Sequence, residues 1–371
     1  MKHARWFIVI FILYLAGYLS HALFLNKTVY GDGVFYYSWL RSIVVDRDID
    51  FTNEYERFKM TQPPTPSGLP GNKYSVGPPL LWATDYVWTH LLSRKTGYEF
   101  NYQFFVGLDG VLAAVVGLVL LFRLLTTFFP TSASILTTLA VAFATNLFFY
   151  GSLDTVNSHA ASFLAATIFL NLLLTPKRLN SFLLGLFLGI VGLMRSQDLV
   201  YALALIPYWK KLSSKTLVVG FLIGFAPQLV AWQALYGKFW MSPYLSNYEG
   251  FNFWEHHILE VLFSYRNGLF FWTPILALGL VGLWVNKLNG WLKAIVFVQI
   301  FLVSTWSMWW QGASYSGRMF VSVLPLFALG IAHVFTWLWK KGWREIYFFL
   351  IFIVPLSLLN MLLIVYFLLI T

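Results

Sequence analysis

The chain has 371 residues, of which 59% are hydrophobic and only 11% charged. A soluble domain carries about 25% charged residues, so this composition excludes a water-soluble globular protein and points to a chain solvated by lipid. The formal charge of +10 then reports membrane orientation and not nucleic-acid binding, and the absence of cysteine excludes disulfides and thiol-ligated metals.

A crossing helix needs about 20 mostly apolar residues. The first candidate runs from Trp6 to Leu25, behind Lys2 and Arg5. We read it as an uncleaved anchor, because the apolar run is long and no small-residue cleavage site follows. Residues 26–99 form the longest polar stretch. Further spans are expected near 100–122, 132–150, 157–175, 181–194, 199–209, 216–236, 268–286, 291–309, 319–339 and 346–370, which makes about eleven. The segment Pro78–Leu92 is apolar but short and contains Asp85, so it is read as a helix lying at the interface.

With the N-terminus inside, the cytoplasmic connections hold Lys2, Arg5, Arg123, Lys177, Arg178, Lys210, Lys211, Lys215, Lys287, Lys293, Lys340, Lys341 and Arg344, with one acid, Glu345. That asymmetry obeys the positive-inside rule. A crossing at 78–92 would turn every later basic cluster outward. The expected fold class is therefore an all-α polytopic membrane protein. It is a single membrane-embedded domain over 1–371, with two juxtamembrane helices in the first extracytoplasmic loop, 26–99.

Within that loop, Val34–Val45 is helix-like, and Asp32 stands just before it in Gly31-Asp32-Gly33. Two readings of Asp32 compete. Its carboxylate caps the helix N-terminus, or it is a general base held at the water–membrane boundary. Asp46, Asp48 and Asp50 alternate; they are a solvated turn, or a site for a cation or for sugar hydroxyls. The stretch from Thr61 to Pro79 is broken by repeated Pro and Gly, which rules out a regular element and suits a lid. Its Lys73 either binds a phosphate or anchors the loop to lipid headgroups.

One N-terminal span, an outer loop opening on an acid and tyrosines, a Lys before Pro78-Pro79-Leu80, and many further spans make a pattern. It resembles the GT-C class of membrane glycosyltransferases, in the protein mannosyltransferase and aminoarabinose lipid A transferase branch. Leu193-Met-Arg-Ser-Gln-Asp198 resembles that branch's arginine-containing outer turn. The stretch Gly312-Ala-Ser-Tyr-Ser-Gly-Arg-Met-Phe-Val-Ser-Val-Leu-Pro325 resembles a late outer loop of its bacterial members. The branch has two adjacent acids early in the loop, whereas this chain has Asp32 alone, and Lys73 stands five residues ahead of Pro78.

The resemblance implies a sugar carried on a polyprenyl phosphate and handed to a glycan, lipid or protein acceptor outside a bacterial or archaeal plasma membrane. A carboxylate takes the acceptor's proton, and cations stabilise the leaving phosphate. Asp32 is the expected base. Lys73, Arg195, Arg266 and Arg318 are the expected phosphate ligands. Tyr36, Tyr37, Asp48, Asp50, Tyr74 and Tyr315 are assigned to the sugar or acceptor.

Each cation also has a structural reading. Arg195 and Asp198 are spaced to pair, and Arg266 to snorkel to the headgroups. Asp109, Asp154 and His159 receive no catalytic role. Trp306, Trp309 and Trp310 are an interfacial belt or a sugar-stacking surface. No metal site and no required cofactor are expected, a divalent cation being the one alternative considered, and no nucleic-acid partner. The alternative is a transporter or flippase of lipid-linked saccharides, which predicts charges deep in several spans and paired halves. Neither is visible in the sequence.

Overall fold

The computed structural model describes residues 4–175, 178–240, 243 and 249–370; Lys2 and Lys177, used above to orient the chain, lie outside them. The described residues are helical, with two isolated bridges and no named strand. The first span is α1 (Ala4–Leu25). The 26–99 loop carries α2 (Gly33–Arg41), prolonged by one wide π-type turn to Asp46, then the short α3 (Thr52–Phe58), then α4 (Gly77–Ser93). Next come α5 (Phe100–Thr126), α6 (Thr131–Phe143), α7 (Leu147–Ser152), α8 (Ser158–Leu174) and α9 (Ser181–Met194). A 3-10 helix over Ser196–Lys211 leads to α10 (Ser214–Tyr236). The last part holds α11 (Ile258–Phe263), α12 (Leu269–Trp272), α13 (Ile275–Val285), α14 (Gly290–Thr305), α15 (Leu324–Lys340, entered through a 3-10 turn from Arg318), α16 (Glu345–Phe348) and α17 (Val354–Ile370).

Five of these stretches are long and apolar enough to cross a membrane: Ala4–Leu25, Phe100–Thr126, Ser214–Tyr236, Arg318–Lys340 and Glu345–Ile370. Five shorter helices, α6, α8, α9, α13 and α14, are also apolar. Winding as a 3-10 helix gives the 16 residues of Ser196–Lys211 more length than an α-helix would. At about 2.0 Å per residue it extends about 32 Å, against about 24 Å as an α-helix, enough for a hydrocarbon core of about 30 Å.

Two expected spans are broken. The 132–150 stretch opens between α6 and α7, and the freed carbonyls of Phe143 and Thr145 each accept a bond from Asn360 Nδ2 at 2.9 Å. A buried orphan carbonyl is costly, so this asparagine of α17 is what makes the break tolerable. The 268–286 stretch breaks at Thr273, where the following Pro274 drives the backbone out of the helical region.

Helices α9 and α10 meet along two glycine pairs, Gly185/Gly189 and Gly220/Gly224. A Cβ on Gly185 would lie 1.9 Å from the Leu217 carbonyl oxygen, and one on Gly224 would lie 2.2 Å from that of Leu186. Small residues four apart let two helix backbones touch. Burial sorts the spans by position: the best apolar window of Arg318–Lys340 is 83% buried, against 22% for α1 and for the last span. Arg318 therefore begins the central helix of the bundle, while α1 and α17 face outward.

Candidate active site

Asp32 is placed by the glycines around it. Gly31 has φ +52°, and a Cβ on Gly33 would sit 2.5 Å from the Val156 carbonyl oxygen, so only glycine lets the start of α2 press against the 153–157 connection. Asp32 stands at the N-cap position of α2, yet its side chain makes no cap bond. Its carboxylate accepts instead from Tyr74 Oη at 2.8 Å and from Arg318 Nη1 at 2.5 Å. Burial pushes this carboxyl up, but Arg318, the Tyr74 hydroxyl and Lys73 together outweigh burial, and the pKa falls below the ordinary value. Asp32 is thus ionised at neutral pH.

Arg318 is pinned through its neighbour. The Met319 carbonyl accepts from Gln197 Nε2 at 3.0 Å and Gln299 Nε2 at 3.1 Å, while the Met319 N–H donates to Gln311 Oε1 at 3.0 Å. Three glutamines from three elements hold the two peptide units on either side of the Met319 Cα. The Arg318 Nε, buried, has no partner among the described residues, so the guanidinium retains a donor beyond the one spent on Asp32.

Tyr74 and Lys73 belong to the Pro/Gly-rich loop, which is strapped down at successive residues. Asn72 Nδ2 donates to the Phe35 carbonyl at 2.8 Å, Ser75 Oγ to that of Met194 at 2.6 Å, and the Val76 N–H to Gln228 Oε1 at 3.1 Å. The Tyr74 ring stacks on Phe35 with centroids 4.8 Å apart. Lys73 forms an ion pair with Glu249.

Beside this cluster lies a cavity of about 280 Å³. Lys73, Tyr36 and Ser75 line it from the first loop, Arg195 and Gln197 from the turn after α9, Gln228 and Trp232 from α10, Gln299 from α14, and Trp306 and Met319 from the loops after α14. Tyr36 Oη bonds Ser158 Oγ at 2.9 Å. Arg195 Nη1 lies 2.6 Å from His159 Nδ1; since a guanidinium only donates, that nitrogen accepts and the imidazole is neutral. The structure therefore joins Asp32, Tyr74 and Arg318 directly, and sets Lys73, Arg195 and Tyr36 around the adjoining cavity.

The other candidates are engaged elsewhere. Tyr37 donates to the Gly97 carbonyl, and Tyr315 to Asn360 Oδ1 at 2.6 Å; both are fully buried. Asp48 accepts from Ser42 Oγ at 2.6 Å, and Asp50 holds the start of α3 through Thr52. These two acids line a separate surface hollow with Arg47 and Leu69. Arg266 lines a small cleft with Trp309 and Trp310, to which neither Asp32 nor Arg318 contributes. Of the three tryptophans, Trp306 alone lines the main cavity, while Trp309 stacks on His257.

Sequence reasoning names Asp154 but gives it no catalytic role. It lies in the connection that Gly33 touches, and it interacts electrostatically with both Asp32 and Arg318. Burial, helped by the Asp32 charge and opposed by Asn157 and Arg318, raises its pKa to about 7. Its signal in the sequence, an acid flanked by Leu153 and Val156, is indistinguishable from that of any span end. Only the approach of Gly33 to Val156 reveals its neighbourhood.

No protein-family model matches the sequence, and no curated protein matches it significantly. Among solved structures, the chain superposes on ArnT from Cupriavidus metallidurans in the apo state with a TM-score of 0.57 at 12% sequence identity. The chain has the fold of ArnT. An ArnT-like, all-α fold is the one expected from the loop motifs, and it is the fold found. The match covers 90% of this chain and 60% of the ArnT chain. At this identity the ArnT likeness is one of backbone, and the chemistry must be argued from this chain's own side chains.

Proposed function

We propose that the chain is a multi-pass membrane glycosyltransferase that moves a sugar from a polyprenyl-phosphate donor to an acceptor hydroxyl on the extracytoplasmic side. The ten apolar helices and the 3-10 segment are its eleven crossings, and the N-terminus is cytoplasmic. The observation that carries the reading is the ion pair of Asp32 and Arg318 beside a cavity lined by two further cations, Lys73 and Arg195.

The lipid phosphate binds the cations, arginine through directed N–H donors and lysine as a point charge. The acceptor oxygen attacks the anomeric carbon as the bond from that carbon to the phosphate oxygen breaks. The phosphate leaves with the electron pair, and the acceptor's proton passes to a carboxylate. Asp32 is that carboxylate, but its low pKa gives it little basicity while Arg318 holds it, since a general base works best with a pKa near the operating pH. Phosphate supplies the remedy. As Arg318 turns its donors to the leaving group, Asp32 loses its main stabilising partner and becomes more basic. Asp154 is the second carboxylate of the site, closer to the ideal range.

The test is release of undecaprenyl phosphate from an undecaprenyl-phosphate-linked radiolabelled sugar. The protein is reconstituted in nanodiscs, with a membrane extract as the acceptor source. Asp32→Asn is expected to lower transfer by about 10²- to 10⁴-fold, the range for loss of a general base, in a protein that still folds. Full activity in that variant removes the mechanism, and lipid-linked sugar flux across vesicles without any glycosidic product points to a transporter instead.

A further inference from the structure

Two side chains that line the cavity each hold a buried oxygen without a hydrogen-bond partner, and they bear on which sugar it takes, an argument that rests on the proposed glycosyltransferase reading. Among the described residues, the buried unpartnered side-chain polar atoms that belong to cavity-lining residues are Gln299 Oε1 and Glu249 Oε2. Both are acceptors only. The orientation of the Gln299 amide is not arbitrary. Its other end meets the Met319 carbonyl at 3.1 Å, and a carbonyl accepts, so the atom facing it must be nitrogen and the oxygen is the end left without a bond.

Gln299 is fully buried, and leaving such an oxygen unbonded is costly. Lys73 and Arg195 supply positive charge to the same cavity, and Trp232 and Trp306 give it aromatic walls. The complementary ligand has an anionic end, several hydrogen-bond donors and flat apolar faces, which describes a glycosyl phosphate.

We infer that Gln299 Oε1 and Glu249 Oε2 receive hydroxyl groups of the donor sugar, so that the cavity selects a neutral, hydroxyl-rich glycosyl unit. A uronic acid would set its carboxylate against two acceptor oxygens. Gln299 also joins sugar recognition to chemistry, because its nitrogen holds the carbonyl of Met319, the residue that follows Arg318.

The experiment compares binding of three lipids to the full-length protein in nanodiscs: undecaprenyl phosphate, undecaprenyl-phosphate-glucose and undecaprenyl-phosphate-glucuronic acid. The readout is the ratio of affinities within each variant, which cancels any change in phosphate binding. In the wild type the glucose lipid is expected to bind at least about fivefold more tightly than the bare lipid, the low end of what satisfying a buried acceptor contributes, and the glucuronic acid lipid more weakly than the glucose lipid.

Gln299→Met removes the acceptor and should bring the glucose ratio near one. A wild-type ratio near one, or a ratio that survives Gln299→Met, overturns the inference and leaves the proposed function standing. Failure of the wild type to bind even undecaprenyl phosphate overturns the proposed function and this inference with it.

Discussion

The Arg318 guanidinium meets the Asp32 carboxylate at 2.5 Å although the two residues are 286 positions apart in the chain. The pair ties the first loop after the first span to the start of the central helix. It also neutralises a carboxylate and a guanidinium that would otherwise be costly to hold in a partly dehydrated site.

Arg318→Lys is expected to reduce transfer by about 10²- to 10³-fold, the loss seen when one transition-state donor is removed, because lysine supplies a point charge without the guanidinium's second donor. The effect should fall on kcat more than on KM. A variant with wild-type kcat would show that Arg318 serves only to neutralise Asp32.

Asp154 gives the activity a pH signature. Its pKa is raised to about 7, so the carboxyl is mostly neutral below that pH and ionised above it. If the ionised form accepts or relays the proton, kcat/KM rises with pH through about 7 and levels off above. Asp154→Asn should lower the plateau and remove this acid limb. An unchanged limb in that variant assigns the titration to another group.

Glu249 competes with phosphate for Lys73. A carboxylate on the ammonium must be displaced when a phosphate arrives, so Glu249→Gln is expected to tighten binding of undecaprenyl phosphate by about five- to tenfold, on the scale of one net hydrogen bond of about 1 kcal/mol. Equal or weaker binding, measured by titration in nanodiscs, contradicts the exchange.

The glycine contact between α9 and α10 positions Arg195 at the end of α9. Gly185→Val places side-chain atoms where the Leu217 carbonyl now lies, since even a Cβ would come within 1.9 Å of it. Overpacking of this kind costs about 1–3 kcal/mol or more, and the thermal unfolding midpoint in detergent should fall. An unchanged midpoint would mean that the two helices separate easily.

Much of this architecture is written in local pattern. Long apolar runs, the basic connections and the acid behind the first span locate the spans and the loop, because lipid enforces length and polarity residue by residue. The bundle centre is not local. Nothing near Asn360 announces that it satisfies the carbonyls of Phe143 and Thr145, and nothing near Gly33 announces Val156. The same limit applies to the site. Asp32 and Arg318 stand out as charges beside spans, whereas Gln299 looks like one polar residue in an apolar helix until its two ends are seen in place. Spacing makes Arg195 and Asp198 a plausible pair, yet Arg195 turns to His159, and Asp198 accepts from Ser322 Oγ at 2.7 Å.

The most direct measurement is a cryo-electron microscopy structure of the full-length protein in nanodiscs with undecaprenyl phosphate. The account predicts a phosphate within hydrogen-bonding distance of Lys73, Arg195 and Arg318, with Glu249 released from Lys73 and the contact between Arg318 and Asp32 lengthened. A phosphate seated at Arg266, or one bound with the Asp32–Arg318 pair undisturbed and more than one residue's length away, contradicts it.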